Sequence, residues 1–241
     1  MRQFFLIRIR LTTYFMFFLL LFLVLVFVLP KTTFSSGALT LFSVNSFLYG
    51  FYLAPILTSQ KARIDDLHRT ARSEANAIFE MALSLKNLPT ELRNGLQTAF
   101  DDYLKTCSKQ RRPGQGEKQY ESLIGFCVSY SGDNEAEIKS LLEKLVKNQQ
   151  NRTQFSMLLA NKIFSHEWII MLVLYGITTG FILTIKTGDE VIYRIIAGLL
   201  AAGLTMLVVI VVKLSTLTHK RAHDAWKPYQ RLLQTRYYSI D

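Results

Sequence analysis

Four stretches of this sequence carry no charged residue: 11–30, 32–60, 168–185 and 195–212. Each reaches the ~18–20 residues that an α-helix needs to cross the hydrocarbon of a bilayer. A water-soluble chain of 241 residues would have to hide all four in a core too small for them. The pattern predicts an all-α, four-helix transmembrane protein, with spans over about 11–30, 38–58, 168–185 and 194–213. It excludes a cytosolic enzyme, a secreted disulfide-stapled domain and a free nucleic-acid binder.

The charge surplus of +10 fits this reading. Arg2, Arg8 and Arg10 precede the first span, sixteen Lys/Arg lie in 61–162 and six in 213–236, while only Lys31, Lys186 and Arg194 fall in the two remaining loops. Because Lys and Arg are retained on the cytoplasmic side, both termini and the central region are expected in the cytoplasm of a multi-pass membrane protein. The surplus needs no nucleic acid to explain it. Cys107 and Cys127 then face a reducing compartment and are read as thiols. The N-terminus also fits a cleaved signal peptide with residues 15–29 as its apolar part, though no small-x-small cleavage box directly follows. Cleavage would leave the orientation of the later spans unchanged.

Residues 30–37 are a short polar turn, so spans one and two are expected as an antiparallel hairpin, and spans three and four repeat the arrangement across 186–190. The chain divides into a transmembrane hairpin (1–59), a cytoplasmic helical domain (60–166), a second hairpin (167–214) and a basic, aromatic cytoplasmic tail (215–241). In the insert, Ile64, Leu67, Ala71, Ala75, Ile78, Phe79, Ala82 and Leu85 recur at the spacing of one helix face. No Gly or Pro separates them from the second span, which predicts one continuous rod. Pro89 suits the first turn of a second helix, with Leu92, Leu96, Phe100, Tyr103 and Cys107 on one stripe. A third helix begins near Asp133 and carries Ile138, Leu141, Leu142, Leu145 and Val146. Between them, 108–131 contains Arg111-Arg112-Pro113-Gly114-Gln115-Gly116 and reads as a mobile loop, with 123–130 as a short docking piece. The tail, with His219, Lys220, Arg221, Trp226, Tyr229, Arg231, Arg236 and Tyr237, reads as an interfacial anchor beside anionic lipid, or alternatively as an anion vestibule.

Chemistry-bearing motifs are missing. Of four histidines only His219 and His223 stand at i, i+4, and the adjacent Asp224 lies about 100° round the helix, so no metal or cofactor is expected. No glycine-rich phosphate loop, CxxC, HExxH or GxSxG occurs. Asp65-Asp66 and Asp101-Asp102 read as solvated helix faces.

Span two is unlike its neighbours. It contains Ser43, Asn45, Ser46, Tyr49, Gly50, Tyr52 and Pro55, and polar groups in hydrocarbon are costly unless they face protein or water. It is therefore expected as the inner helix of a bundle, shielded from lipid by span one. Ser43, Phe47 and Phe51 form one row at i, i+4, i+8; Asn45, Tyr49 and Tyr52 form another. Either row could line a passage, where an aromatic ring gates by dewetting, or pack between helices. In span three, Gly176 and Gly180 make a small-xxx-small pattern, and Gly198 and Ala202 match it in span four. Their expected use is packing of helices three and four, within one subunit or between subunits.

The segment Ser46-Phe47-Leu48-Tyr49-Gly50-Phe51-Tyr52 resembles the Ser-Phe-x-x-Gly-Phe-Tyr stretch of the second membrane helix in bestrophins, pentameric anion channels whose phenylalanines line a hydrophobic neck. Further along, Arg72-Ser73-Glu74-Ala75-Asn76-Ala77-Ile78, Leu88-Pro89, Arg93, Asp102-Tyr103 and Trp168 look like the bacterial bestrophin-like family of four-span membrane proteins. The resemblance covers most of residues 40–185. It implies neck positions at Ser43, Phe47 and Phe51. Asn45 replaces the bestrophin proline, and no acidic run resembles the calcium clasp, so calcium gating is not carried over.

The function expected is an oligomeric ion channel, passing anions such as chloride, with span two around the pore of a homo-oligomer that the resemblance makes a pentamer. Phe47 and Phe51 would form the constriction, and Ser43 and Asn45 would offer hydrogen bonds to a partly dehydrated ion. The alternative is a non-conducting scaffold or accessory subunit whose cytoplasmic helices bind a protein partner. No catalytic role is expected.

Overall fold

The computed structural model describes residues 9–109, 114, 116–161, 163, 165–186, 191–219 and 224–234. Through them run α1 (Leu11–Val28), α2 (Ser36–Ser84), α3 (Thr90–Lys109), α4 (Glu117–Ser129), α5 (Glu135–Ala160), α6 (Ser165–Thr184), α7 (Val191–Ser215) and α8 (Lys227–Gln234). Short 3-10 turns occur at Leu85–Asn87 and Asp224–Trp226. Among the described residues there is no strand, only an isolated bridge between Thr32 and Ile185. The protein is all-α, and four helices (α1, α2, α6 and α7) are long and apolar enough to cross a membrane. As its sequence predicts, α2 is one unbroken helix of 49 residues, about 70 Å long at 1.5 Å per residue. The chain forms two compact units, to both of which α2 contributes.

The first unit comprises 1–62 and 162–220. Here α1 packs chiefly on α7, which corrects the expectation that span one covers span two. Gly198 is the physical reason: a Cβ there would lie 3.0 Å from the Leu23 side chain, so only glycine lets the two helices approach this closely. Phe22 and Val26 of α1 are buried with Leu183, Ala201 and Ala202. Gly198 and Ala202 thus serve the contact with span one. Gly176 and Gly180 are exposed, and a Cβ at either meets nothing within 4 Å, so packing of helices three and four within the chain does not use them. Gly198→Leu is expected to lower stability in detergent by about 1–3 kcal/mol through overpacking. Gly176→Leu should leave it unchanged or raise it by up to ~1 kcal/mol, because glycine weakens a helix interior. Equal losses in the two thermal melts would contradict this assignment.

At one end of this unit the Thr32 amide donates to the Thr184 carbonyl (2.8 Å), the Lys186 amide to the Thr32 carbonyl (3.0 Å) and Lys31 Nζ to the Leu183 carbonyl (2.6 Å). Helix geometry leaves the last carbonyls of α6 without an amide partner, and the chain after α1 donates to two of them, Leu183 and Thr184. Toward the end of α7, Lys213 is 4% exposed and donates from Nζ to the Ile9 carbonyl (2.7 Å), over the ring of Tyr14.

The second unit comprises 63–161 and 221–241. The periodic row Ile64, Leu67, Ala71, Ala75, Ile78 and Leu85 is buried as its spacing requires, together with Met81 of α2, Leu96, Phe100 and Leu104 of α3 and Ile138, Leu141 and Leu145 of α5. Arg63 caps α5: its Nε and Nη2 donate to the carbonyls of Leu158 (2.7 Å) and Leu159 (3.2 Å), satisfying groups the helix end leaves free. Residues 117–129, expected within a loop, form α4, which packs on α3 and α5. Its buried Tyr120, Leu123 and Cys127 follow helical spacing, a signal the neighbouring Gly and Pro concealed. Arg111, Arg112, Pro113 and Gln115 lie outside the described residues.

The tail is also corrected. Trp226 and Tyr229 are 2% and 1% exposed, edge-on to Phe155 at 6.1 and 6.2 Å, and α8 packs on α3. These rings belong to the core of the helical unit, not to a lipid headgroup layer. Lys220, Arg221, His223, Arg236 and Tyr237 lie outside the described residues.

Candidate pore-lining face

With 100° between successive residues, Thr40, Ser43, Phe47, Phe51, Ala54 and Thr58 share one side of α2, and all six are exposed. Phe47 and Phe51 are each 70% exposed and lie nearly parallel, ring centroids 6.0 Å apart with 19° between planes. Pro55 is exposed beside them inside the helix. Among the described residues no helix covers the two rings, so packing between these helices is not their use.

The structure separates the four residues singled out from the sequence. Ser43, Phe47 and Phe51 stay together on this open side. Asn45 lies on the other side, where Nδ2 donates to the Leu174 carbonyl (3.1 Å) and to Thr178 Oγ1 (2.8 Å). Both amide hydrogens are committed, so Asn45 fixes the rotation of α2 against α6 and has none left for an ion. Its row continues inward with Tyr49, 3% exposed, whose hydroxyl donates to the Leu204 carbonyl at 3.5 Å. Tyr175 and Thr205 share a hydrogen bond of 2.5 Å, and Thr205 donates to the Ala201 carbonyl (2.8 Å). A polar seam thus ties α2, α6 and α7 and determines which side of α2 remains open. Thr40, Pro55 and Thr58 complete that side; extending the Ser43 row by one turn before it and two turns after it would have found them.

A second cluster, unannounced by any motif, lies within the helical unit. Glu74 is 2% exposed. Tyr103 donates to its Oε1, and Tyr229 donates to its Oε2 at 2.6 Å. Arg152, 4% exposed, places Nε 3.0 Å from the Tyr103 hydroxyl and 3.7 Å from Glu74 Oε1. Its Nη2 reaches Glu117 at 3.1 Å. The guanidinium carbon lies 3.9 Å from the Tyr120 ring centroid and 5.2 Å from that of Tyr103, a cation held between two π faces. Tyr120 in turn donates to the Leu145 carbonyl (2.8 Å) and accepts from Asn148 (3.1 Å).

Burial dominates the electrostatics here. It pushes the Glu74 carboxyl up, against the lowering effect of the two phenols and Arg152. Burial also raises the Tyr103 and Tyr229 phenols well above their ordinary range, with the Glu74 charge adding to it, and pushes the Cys107 thiol up to about 12. Groups raised in the folded state stabilise it below their unfolded pKa, and that stability is lost as pH rises toward the folded value. The helical unit is therefore expected to weaken from about pH 9 to 12, where unfolded phenols and thiols ionise. Hydrogen exchange across that range checks this; constant protection would contradict it. Cys107 should also resist alkylation at pH 8 until the unit unfolds.

A family model, the Bestrophin-like domain, matches residues 13–219. The chain belongs to the Bestrophin-like family. No curated protein and no solved structure matches it. In this bestrophin-like membrane protein the matched region contains the open side of α2 together with Glu74, Tyr103 and Arg152, and stops ahead of Trp226 and Tyr229.

Proposed function

We propose that this bestrophin-like protein is an oligomeric ion channel, a ring of identical subunits in which α2 of each copy lines a central pore. Phe47 and Phe51 form the constriction, and the helical unit lies on the cytoplasmic side of a bacterial inner membrane. The observation that carries this is the mixed character of the open side of α2. From residue 16 to residue 28 of α1 every exposed residue is apolar, among them Met16, Phe17, Leu20, Val24 and Phe27, as lipid demands. On α2 the exposed row alternates hydroxyls with stacked rings, Thr40 and Ser43 on one side of Phe47–Phe51 and Thr58 on the other. Hydroxyls flanking an apolar ring suit a wall that water reaches from both ends and that gates by dewetting in the middle.

The mechanism is passive: an ion moves down its gradient when the phenylalanine ring wets. Purified protein in planar bilayers is expected to carry current. No current from the wild type, and none from Phe47→Ala/Phe51→Ala, would refute the channel. Particle images in detergent should show a symmetric ring with α2 nearest the axis, a pentamer if the bestrophin likeness extends to subunit number; a lone four-helix unit would support a scaffold instead.

A further inference from the structure

A groove of about 440 Å³ opens on α2 within the helical unit, floored by Asp65, His68, Arg69, Arg72, Ser73 and Asn76 and walled by Asp224 of the C-terminal segment. The floor residues recur at three and four, so they share one face of the helix beside the buried row. Trp226 and Tyr229 are buried just beyond Asp224. The wall is thereby anchored to the core of the unit. Each of these lining side chains is polar or charged, and an apolar ligand would have to strip them of water without return. The volume suits one small polar molecule.

Charge is segregated along the floor. From Asp65 at one end, Arg69, Arg72 and Asn76 follow at about 6, 10.5 and 16.5 Å along the axis, at 1.5 Å per residue. Arg72, Ser73 and Asn76 are exposed, and among the described residues their side chains make no hydrogen bond or ion pair. Arg69 has a long pair with Asp66, 3.8 Å, its own side chain 80% exposed. Such a pair holds a guanidinium only weakly. Two guanidinium groups one turn apart, with a hydroxyl and an amide beside them, present many donors and match the acceptor oxygens of a phosphate. The rest of the ligand meets carboxylates. Asp224 pairs with Lys227 at 3.0 Å, but a carboxylate has about four lone-pair sites and accepts from hydroxyls besides its own partners. A bare polyanion filling the groove would set like charges against Asp65 and Asp224; a phosphate at one end and hydroxyls at the other would not.

We infer that this groove binds a sugar phosphate, its phosphate on Arg69, Arg72, Ser73 and Asn76 and its hydroxyls donating to Asp65 and Asp224. The site lies in the helical unit and does not depend on α2 lining a pore.

Calorimetric titration of the full-length protein in detergent tests it, with ribose 5-phosphate, inorganic phosphate and ribose as probes. Ribose 5-phosphate should bind saturably, inorganic phosphate about tenfold more weakly, and ribose not measurably. Arg72→Gln should weaken both phosphorylated probes about tenfold or more, the weight of one charge-assisted hydrogen bond. Asp65→Asn should lower the preference for ribose 5-phosphate over phosphate several-fold. Lys118→Gln, an exposed cation on α4, should change neither. No saturable binding of ribose 5-phosphate, affinity unmoved by Arg72→Gln, a preference unmoved by Asp65→Asn, or an equal loss from Lys118→Gln would overturn the inference.

Discussion

Replacing Arg152 by alanine should cost the helical unit about 3–5 kcal/mol, the range for removing one partner of a buried ion pair. The guanidinium does three things at once: it faces Glu74 Oε1 at 3.7 Å, holds Glu117 at 3.1 Å and fills the space between the Tyr103 and Tyr120 rings. Without it a carboxylate 2% exposed keeps, among the described residues, the two phenols as hydrogen-bond partners. Arg152→Met keeps much of the stem and its packing, so it separates lost volume from lost charge. The sign of the pH response identifies the cause. Burial already pushes the Glu74 carboxyl up, and with the cation gone it takes a proton more readily. The penalty should therefore shrink as pH falls, because the neutral acid no longer needs a counter-charge. Tyr229→Phe removes one bond to the same carboxylate and should cost less, about 1.5–3 kcal/mol. Hydrogen exchange of α3, α4 and α5 in detergent reads all three variants. A loss under about 1 kcal/mol for Arg152→Ala, or one independent of pH, would show that the cluster does not hold the unit together.

Phe47→Ala/Phe51→Ala should raise unitary current about tenfold or more, since a wetting barrier lowered by ~1.4 kcal/mol gives that factor. The two side chains are the largest on the open side of α2 and lean on each other, not on any other helix among the described residues. Truncation therefore leaves the polar seam of Asn45, Tyr49, Tyr175 and Thr205 untouched. Subunit stability should move little, which distinguishes an open gate from a damaged fold. Unchanged or smaller current would mean that the rings do not bound the narrowest point.

What was legible in the sequence and what was not divide along physical lines. Charge-free runs of span length and the 64–85 periodicity located the membrane helices and the long α2, because both signals are local. Partner choice was not local. Gly198 and Ala202 were recognisable as close-packing residues, yet only the structure shows Leu23 of α1 against Gly198. Asn45 and Ser43 are two residues apart and equally polar, and helical phase sends them to different sides of α2. Tyr229 and Trp226 matched an interfacial anchor by composition, because a ring with a polar tip suits a headgroup layer or a buried carboxylate equally well. Glu74 was visible only as part of a family-like run; its phenol and arginine partners come from α3, α5 and the C-terminal segment, far away in sequence.

Whether the open side of α2 meets water or acyl chains decides the account, and thiol labelling reads it directly. Ser43→Cys and Phe51→Cys, introduced singly and corrected for the unreplaced Cys107 and Cys127, should react with a charged, membrane-impermeant thiol reagent applied from the water. Leu20→Cys on α1, 68% exposed in the single chain, should not, because lipid surrounds it. If the positions on α2 resist the reagent as completely as Leu20→Cys, that face lies in the bilayer and there is no pore along it.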